Sequence, residues 1–318
     1  MTTILVTDKV NVSGLGPLLE QPYSVVSVDD SAGEDFATAL ETAQALIVRS
    51  ATTVSRDLIS RAPELRAIGR AGVGVDNVDI EAATERGVAV FNAPGGNTLA
   101  AAELTLGLML SVARKIPEAD ASLRSGRWDR AAFKGVELAG KTLGLIGAGR
   151  IGGEVAIRCR AFGMAVVVYD PYLTADRADE LGVELVDLAT VLARADFISI
   201  HVPLNDETRG IVGEETLAKM KRTAYLVNAS RGGVVDEPAL AAALREGAIA
   251  GAALDVYETE PLDTDSPLRD VPNLVLTPHL GASTAEAQEG VATEVAVKIR
   301  AMFESGDVSS AVNAADLA

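Results

Sequence analysis

Histidine is scarce in this chain, with two residues in 318. General acid–base chemistry near neutral pH therefore has few candidate shuttles. Cysteine is scarcer still. Cys159 is the single one, so no internal disulfide can form, and a reducing, cytoplasmic setting is the expectation. Cys159 shares a helical face with Val155, Ala156 and Phe162, which reads as core filling and not as a nucleophile. Aromatics make up 4% of the residues, so Ala, Val, Leu and Ile must fill the cores that a 48% hydrophobic content can build. Positive charge is short as well: 28 Lys and Arg against 45 Asp and Glu, a net charge of −17. Such a chain repels nucleic acid and anionic membranes at long range, and neither is expected as a partner. It also repels an anionic cofactor or substrate, so a ligand of that kind needs a locally positive pocket. No uninterrupted apolar run approaches the roughly 20 residues of a membrane span. The opening MTTILVTDKV has neither the basic start nor the long apolar core of a secretory leader. No metal is expected.

What is present is organised around Lys141–Gly153, KTLGLIGAGRIGG. Leu143 to Ile146 read as a short buried strand. Gly147, Gly149 and Gly152 follow with the spacing G-x-G-x-x-G, and a helix-period stretch comes next. The first glycine allows a tight turn, the second lets backbone approach a pyrophosphate, and the third lets helix pack on strand. Pyrophosphate would then meet free N–H groups and the positive end of a helix dipole. A second apolar run, Ala165–Tyr169, ends in Asp170, where a carboxylate can hold both ribose hydroxyls and repel a 2′-phosphate. The expected cofactor is NAD and not NADP.

Two domains are the default for this length. Before residue 98 the apolar runs are Ile4–Thr7, Val25–Val28, Ala45–Val48, Ala67–Gly69 and Val88–Phe91, separated by helical patterns. This rhythm predicts a parallel sheet with helices on both faces. It carries no dinucleotide fingerprint. Arg49-Ser50 and the stretch from Arg70 to Asn77 follow two of its strands, and the latter is rich in exposed N–H groups beside a cation, a setting suited to an anion. A helix is expected from Thr98 to about Ile116, apolar nearly all round and stopped by Pro117. Residues 118–140 bring Arg124, Arg127, Trp128, Arg130, Phe133 and Lys134, either an arm on another subunit or a surface loop. Alternation then resumes with six runs, Thr142–Ile146, Ala165–Tyr169, Asp196–Ile200, Ala224–Val227, Ala250–Leu254 and Leu274–Leu276, the count of a full dinucleotide-binding sheet.

Ligands of open parallel sheets bind at the carboxyl ends of the strands, and the unusual polar groups fall there. Gly147 and Asp170 end the first two strands of the second sheet. His201-Val202-Pro203 ends the third, and Asn228 to Gly233, with Arg231, ends the fourth. Asp255, followed by Glu258 and Glu260, ends the fifth, and Thr277-Pro278-His279 ends the sixth. A carboxylate beside an imidazole stabilises its charged form and orients it. A guanidinium fork can hold a substrate carboxylate by two bonds. His279, Glu260 and Arg231 together suit one reaction, in which a secondary alcohol beside a carboxylate loses its proton to histidine and its hydride to nicotinamide. Spacing along the chain does not bring the three together; only the fold can.

The segments VRSATTV, GRAGVGVDNVD, AAELTLGLML, GLIGAGRIG, HVPL, NASRGGVVDE, AALDVYETEP and TPHLGASTAEAQ carry a resemblance that runs from about Ile4 to Asn313. The chain resembles the D-isomer-specific 2-hydroxyacid dehydrogenases. The resemblance implies an α/β fold of two doubly wound parallel-sheet domains. A Rossmann NAD-binding domain, 98–283, is inserted into a flavodoxin-like substrate domain, 1–97 and 284–318. It implies Arg231, Glu260 and His279 as the catalytic residues. Around NAD it places Gly147, Gly149, Arg150, Ile151 and Gly152 of the turn, with Asp170. It adds His201, Val202, Pro203, Ala229, Ser230 and Arg231, then Asp255 at the nicotinamide carboxamide, and His279, Gly281 and Ala282. Val73 also approaches the cofactor. For the substrate it implies Arg49, Arg70, Gly72, Val73 and Asn97, with Arg231 and His279. His201 reads as a cofactor-side residue and not the base. The helix after Asn97 and the arm after Pro117 resemble the family's dimer contact, so a homodimer or a dimer of dimers is expected, with Arg127 or Arg130 reaching a neighbour's active site. Within the family the likeness is to the branch acting on a phosphorylated three-carbon acid. Glyoxylate or hydroxypyruvate reduction is the nearest alternative, and an NAD-sensing corepressor is the alternative of another class. Many members of that branch carry C-terminal domains that bind serine. This sequence stops at Ala318, so the expectation is either a natural short form without them or a piece cut from a longer protein.

Overall fold

The computed structural model describes residues Met1–Leu317. Ala318, the last residue of the expected 284–318 segment, lies outside the described residues. The chain divides into two compact units, Met1–Thr98 with Ala282–Ala318, and Leu99–Gly281.

The first unit is built on β1 (Thr2–Val6), β2 (Tyr23–Ser27), β3 (Ala45–Val48), β4 (Ala67–Arg70) and β5 (Ala89–Asn92). They form a parallel sheet in the order β2-β1-β3-β4-β5, the flavodoxin-like doubly wound order. Strands covered on both faces read as unbroken apolar runs, and all four residues of β3 are buried. On one face lie α1 (Glu34–Leu40), α2 (Arg56–Ser60) and α3 (Ile80–Glu85), through Phe36, Leu40, Leu58, Ile59 and Ala82. On the other lie a 3-10 helix, Val12–Leu18, and the helix Ala285–Ser305 from the returning segment. Thr284 caps that helix by accepting from the Ala287 N–H. The helix lies so close to β4 that a Cβ on Gly69 would stand 2.3 Å from Val295 Cγ1. Asn313 pins the segment after it, accepting from the Val90 N–H and donating to the Val88 carbonyl.

The second unit contains β6 (Thr142–Ile146), β7 (Ala165–Tyr169), β8 (Glu184–Leu185), β9 (Phe197–Ile200), β10 (Tyr225–Asn228), β11 (Gly251–Leu254) and β12 (Leu274–Leu276). Their order is β12-β11-β10-β9-β6-β7-β8, all parallel. The order reverses between β6 and β9, the switch point at which such sheets bind ligands. The helices are α4 (Thr98–Arg114), α5 (Ile116–Arg124), α6 (Arg150–Ala161), α7 (Ala175–Leu181), α8 (Leu188–Arg194), α9 (Glu214–Leu217) and α10 (Glu237–Arg245). Side chains of α4 and α6 pack on one face of the sheet, and those of α8, α9 and α10 on the other.

Two expectations are corrected. The sheet has seven strands and not six: β8 was missed because it is two residues, Glu-Leu, both exposed at the sheet edge, with no apolar run to announce it. Pro117 does not end a helix running to Ile116. The break comes at Lys115, in the left-handed region (φ 52°), and Pro117 sits in the first turn of α5, where an N–H is not needed. Residues 125–141 are irregular and largely exposed. Among the described residues no helix is long and apolar enough to cross a membrane.

Candidate active site

The glycine turn joins β6 to α6. Gly147 has φ 90°, and a Cβ there would press on the His201 carbonyl at 2.7 Å. A Cβ on Gly152 would meet the Gly147 carbonyl oxygen at 2.3 Å. That obstacle is backbone and cannot swing aside. Gly152→Ala is expected to lower stability by about 1–3 kcal/mol and to weaken NAD, which thermal melts and a titration would record. A Cβ on Gly149 would meet nothing within 4 Å, and α6 starts there without a side-chain cap. Open space over backbone at an uncapped helix start fits a pyrophosphate. Arg150 and Ile151 open α6. Asp170 follows β7 and accepts the Ala148 N–H at 2.8 Å and the Tyr172 N–H at 2.9 Å. The acid therefore ties the turn to β7 and keeps acceptor sites for a ribose.

His201 leaves β9 with its N–H on the Ile146 carbonyl. Its Nε2 pairs with Ser199 Oγ at 2.8 Å. Burial pushes the imidazole down to about 4, so it is neutral at ordinary pH and unsuited to a proton relay there. Val202 follows it, its Cγ1 2.9 Å from where a Cβ on Gly147 would stand, and Pro203 comes next. His279 is the remaining histidine.

Three adjacent strands carry the other groups. Asn228 pairs with Leu254 and Leu254 with Leu276 in the parallel register of β10, β11 and β12. The loops that follow these strands therefore leave one edge together. After β10, Asn228 Oδ1 accepts from the N–H and hydroxyl of Ser230, and Asn228 Nδ2 donates to the Arg231 carbonyl. This turn fixes Ala229, Ser230 and Arg231, whose guanidinium also donates to the Ser230 carbonyl at 2.7 Å. After β11 comes Asp255, fully buried. Its Oδ1 accepts from the Thr277 hydroxyl (2.6 Å) and the Leu280 N–H (2.7 Å), its Oδ2 from the Gly281 N–H (2.9 Å), and its carbonyl from the His279 N–H (2.8 Å). Burial raises the Asp255 carboxyl, and these bonds oppose the rise.

That clamp has a purpose in the backbone. His279 adopts φ 54°, an uncommon state for a residue other than glycine that persists only where its surroundings over-determine it. Asp255 supplies the determination. The ring is thereby aimed at Glu260: His279 Nδ1 lies 2.6 Å from Glu260 Oε2. Glu260 Oε1 accepts the Tyr257 N–H at 3.0 Å. Burial alone would raise the Glu260 carboxyl. The His279 hydrogen bond and charge, the Tyr257 N–H and the Arg231 charge outweigh it and hold the group below its usual range. An ionised carboxylate only accepts, so Nδ1 carries the proton and Nε2 is left for chemistry. The three residues separated along the chain thus share one electrostatic site within the second unit.

In the first unit, Asp8 accepts the N–H groups of Arg49 and Thr52 and the Thr52 hydroxyl, at 2.8, 3.0 and 2.6 Å. Asn77 Nδ2 donates to the carbonyls of Arg49 and Thr52, both at 2.7 Å. In the stretch after β4 where free N–H groups are expected, two are engaged: the Ala71 N–H donates to the Val48 carbonyl and the Gly72 N–H to the Arg70 carbonyl. Asn77 faces back onto the Arg49 loop as a brace. Arg70 folds over Gly72, where a Cβ would lie 1.5 Å from the guanidinium. Asn92 holds the Val73 carbonyl at 2.6 Å. Asn97 Oδ1 is buried without a hydrogen-bond partner, an atom that a ligand donor would satisfy. Gly281 closes the second unit, and Ala282 opens the returning segment.

Sequence reasoning missed Asp8, Asn77, Thr277 and Tyr257 as braces. The Asn-x-Ser step at Asn228 is a legible turn signal; Asp8, Asn77 and Thr277 act across distant segments, and the Tyr257 N–H acts three residues from Glu260. Among the described residues no group of three or more His, Cys, Asp or Glu could hold a metal ion. Cys159 is buried, and burial pushes its thiol up to about 12, leaving it unreactive.

Residues 106–281 match the family model for the D-isomer specific 2-hydroxyacid dehydrogenase NAD binding domain, and the chain belongs to that family. It is 50% identical over 314 residues to D-3-phosphoglycerate dehydrogenase of Methanocaldococcus jannaschii, covering 98% of this chain and 60% of that protein. It is 48% identical over 314 residues to the enzyme of the same name in Bacillus subtilis, covering 98% and 59%. The chain therefore spans about three fifths of the length of these curated relatives. A glyoxylate reductase structure from Paecilomyes thermophila superposes with a TM-score of 0.87 at 32% identity, covering 98% of each chain.

Proposed function

We propose that this chain oxidises 3-phospho-D-glycerate to 3-phosphooxypyruvate, the opening step of a phosphorylated route to serine. The observation that carries the reading is the Glu260–His279 hydrogen bond under the charge of Arg231. The names of the relatives support the phosphorylated substrate. NAD, when bound, supplies the carbon that takes up the substrate hydride. The chain does the rest. Arg231 grips the substrate carboxylate with its fork. His279 Nε2 accepts the hydroxyl proton as the C2–H bond breaks and the carbonyl forms. Glu260 holds the ring and stabilises the imidazolium that results. In the reverse direction the imidazolium returns that proton to the carbonyl oxygen. Asp255 keeps one acceptor site on Oδ2 for the nicotinamide carboxamide.

Asp170→Ala is expected to raise the Kd for NAD by about tenfold or more, since bonds to a charged acceptor are lost, and to narrow the advantage over NADP. Calorimetric titration with both cofactors checks this; an unchanged preference contradicts the ribose role.

Glyoxylate or hydroxypyruvate reduction is the second reading, supported by the likeness to a glyoxylate reductase. Steady-state kinetics with phosphoglycerate, phosphooxypyruvate, hydroxypyruvate and glyoxylate decide between them. The first reading expects the highest kcat/KM on the phosphorylated pair, and a preference for glyoxylate overturns it. The same reading makes the Leu99–Gly281 unit the NAD domain and the other the substrate domain. It sets the enzyme in the cytoplasm as a homodimer, joined through the exposed Ile116, Leu123 and Trp128.

A further inference from the structure

The loop between β11 and β12 carries Glu260, and it is held at a second point that the reaction does not use. Glu237 is the first residue of α10, which is capped by Asp236 through the Ala239 N–H. The Glu237 side chain turns away from its own helix. Its Oε1 accepts the Glu258 N–H at 2.6 Å. Glu258 lies two residues before Glu260 and one after Tyr257. The Tyr257 N–H in turn donates to Glu260 Oε1, and the Tyr257 hydroxyl donates to the Thr277 carbonyl at 2.8 Å. Gly232, next to Arg231, lies against the same turn, for a Cβ there would stand 1.7 Å from the Tyr257 carbonyl oxygen. Glu237 thus ties the helix that follows the Arg231 loop to the loop that bears Glu260.

A carboxylate is a costly choice for this place. Burial and the charges of Glu258 and Glu260 push the Glu237 carboxyl up, against the Glu258 N–H. A group that only filled space would not need to be an acid. A short bond from a charged acceptor is stronger than a neutral one, and it fixes the backbone one peptide away from the N–H that Glu260 accepts.

We infer that Glu237 is a positioning residue that holds the Tyr257–Glu260 turn through the Glu258 N–H, and so keeps the Glu260 carboxylate on His279 Nδ1. The inference rests on the reading of His279 and Glu260 given above for its kinetic consequence, but not for its structural one. With Glu260 in place, neutral His279 carries its proton on Nδ1 and leaves Nε2 bare. If Glu260 drifts, the ring reverts to a mixture of tautomers.

The test uses nitrogen-15 imidazole spectra of the full chain without ligand, together with steady-state kinetics. Two histidines make the spectrum simple, and His279→Asn assigns it. Wild type should show the Nδ1–H tautomer at His279. Glu237→Ala should lose it and lower kcat by about tenfold to a hundredfold, the scale of a small misplacement, with KM for NAD unchanged. Glu237→Gln keeps an acceptor for the Glu258 N–H and should restore the tautomer and most of kcat. A Glu237→Ala protein that keeps the wild-type tautomer overturns the proposal, whether or not its melting temperature falls. So does a Glu237→Gln protein as impaired as Glu237→Ala, which would show the charge acting without the contact. A wild type inactive on every 2-hydroxy acid, yet with the tautomer controlled by Glu237, would refute the functional reading and leave this one standing.

Discussion

His279→Ala is expected to lower kcat by a factor of about a hundred to ten thousand, the usual contribution of a positioned acid–base group. NAD affinity should stay nearly intact, because the glycine turn and Asp170 do not depend on the ring. The loss follows from the absence of any substitute. His201 is held neutral by burial, which pushes it down to about 4, and Glu260 is an acceptor kept below its usual range. Water can take the proton, but not from a fixed direction. One confounding effect is foreseeable, since residue 279 sits at φ 54° and alanine tolerates that conformation poorly. Asparagine visits it more readily, so His279→Asn should show the same fall in kcat with less loss of stability. Steady-state kinetics with a calorimetric NAD titration check both variants, and retained turnover would remove His279 from the mechanism.

Arg231→Lys is expected to lower kcat/KM for the 2-hydroxy acid by about ten- to two-hundredfold, equivalent to one lost bond to a charged group. The substitution isolates geometry from charge. Lysine keeps the positive charge beside Glu260, so the Glu260–His279 pair should survive. It replaces a planar fork with a point donor, so the carboxylate loses its two-bond grip and its angle to His279. Arg231→Gln should go further, since Glu260 then loses the cationic neighbour that helps hold its proton affinity down. Kinetics across the three proteins should rank them Arg, Lys, Gln. A Lys variant with wild-type kcat/KM would show that charge alone suffices.

Much of the architecture was legible because parallel strands covered on both sides must be apolar throughout. The glycine turn was legible for a different reason: each of its glycines answers a separate steric demand, seen at Gly147 and Gly152 as would-be collisions with backbone. β8 was invisible because two edge residues carry no pattern. Pro117 was misread because proline breaks a helix from within but is welcome in its first turn. The trio could be named in sequence, yet its meeting depends on the register that aligns Asn228, Leu254 and Leu276, and pairing partners leave no local mark. Asp255 reads as a ligand contact in sequence. Its grip on Thr277, His279, Leu280 and Gly281 emerges only once a buried acid is seen to need donors.

The most direct test of the central claim follows the hydrogen that leaves C2 of the substrate. With 3-phospho-D-glycerate carrying deuterium at C2, a single turnover is quenched and the reduced cofactor weighed by mass spectrometry. The account predicts one deuterium in the reduced cofactor with the wild-type protein, and almost none formed with His279→Asn. Deuterium released to solvent, or full transfer in the variant, would contradict it.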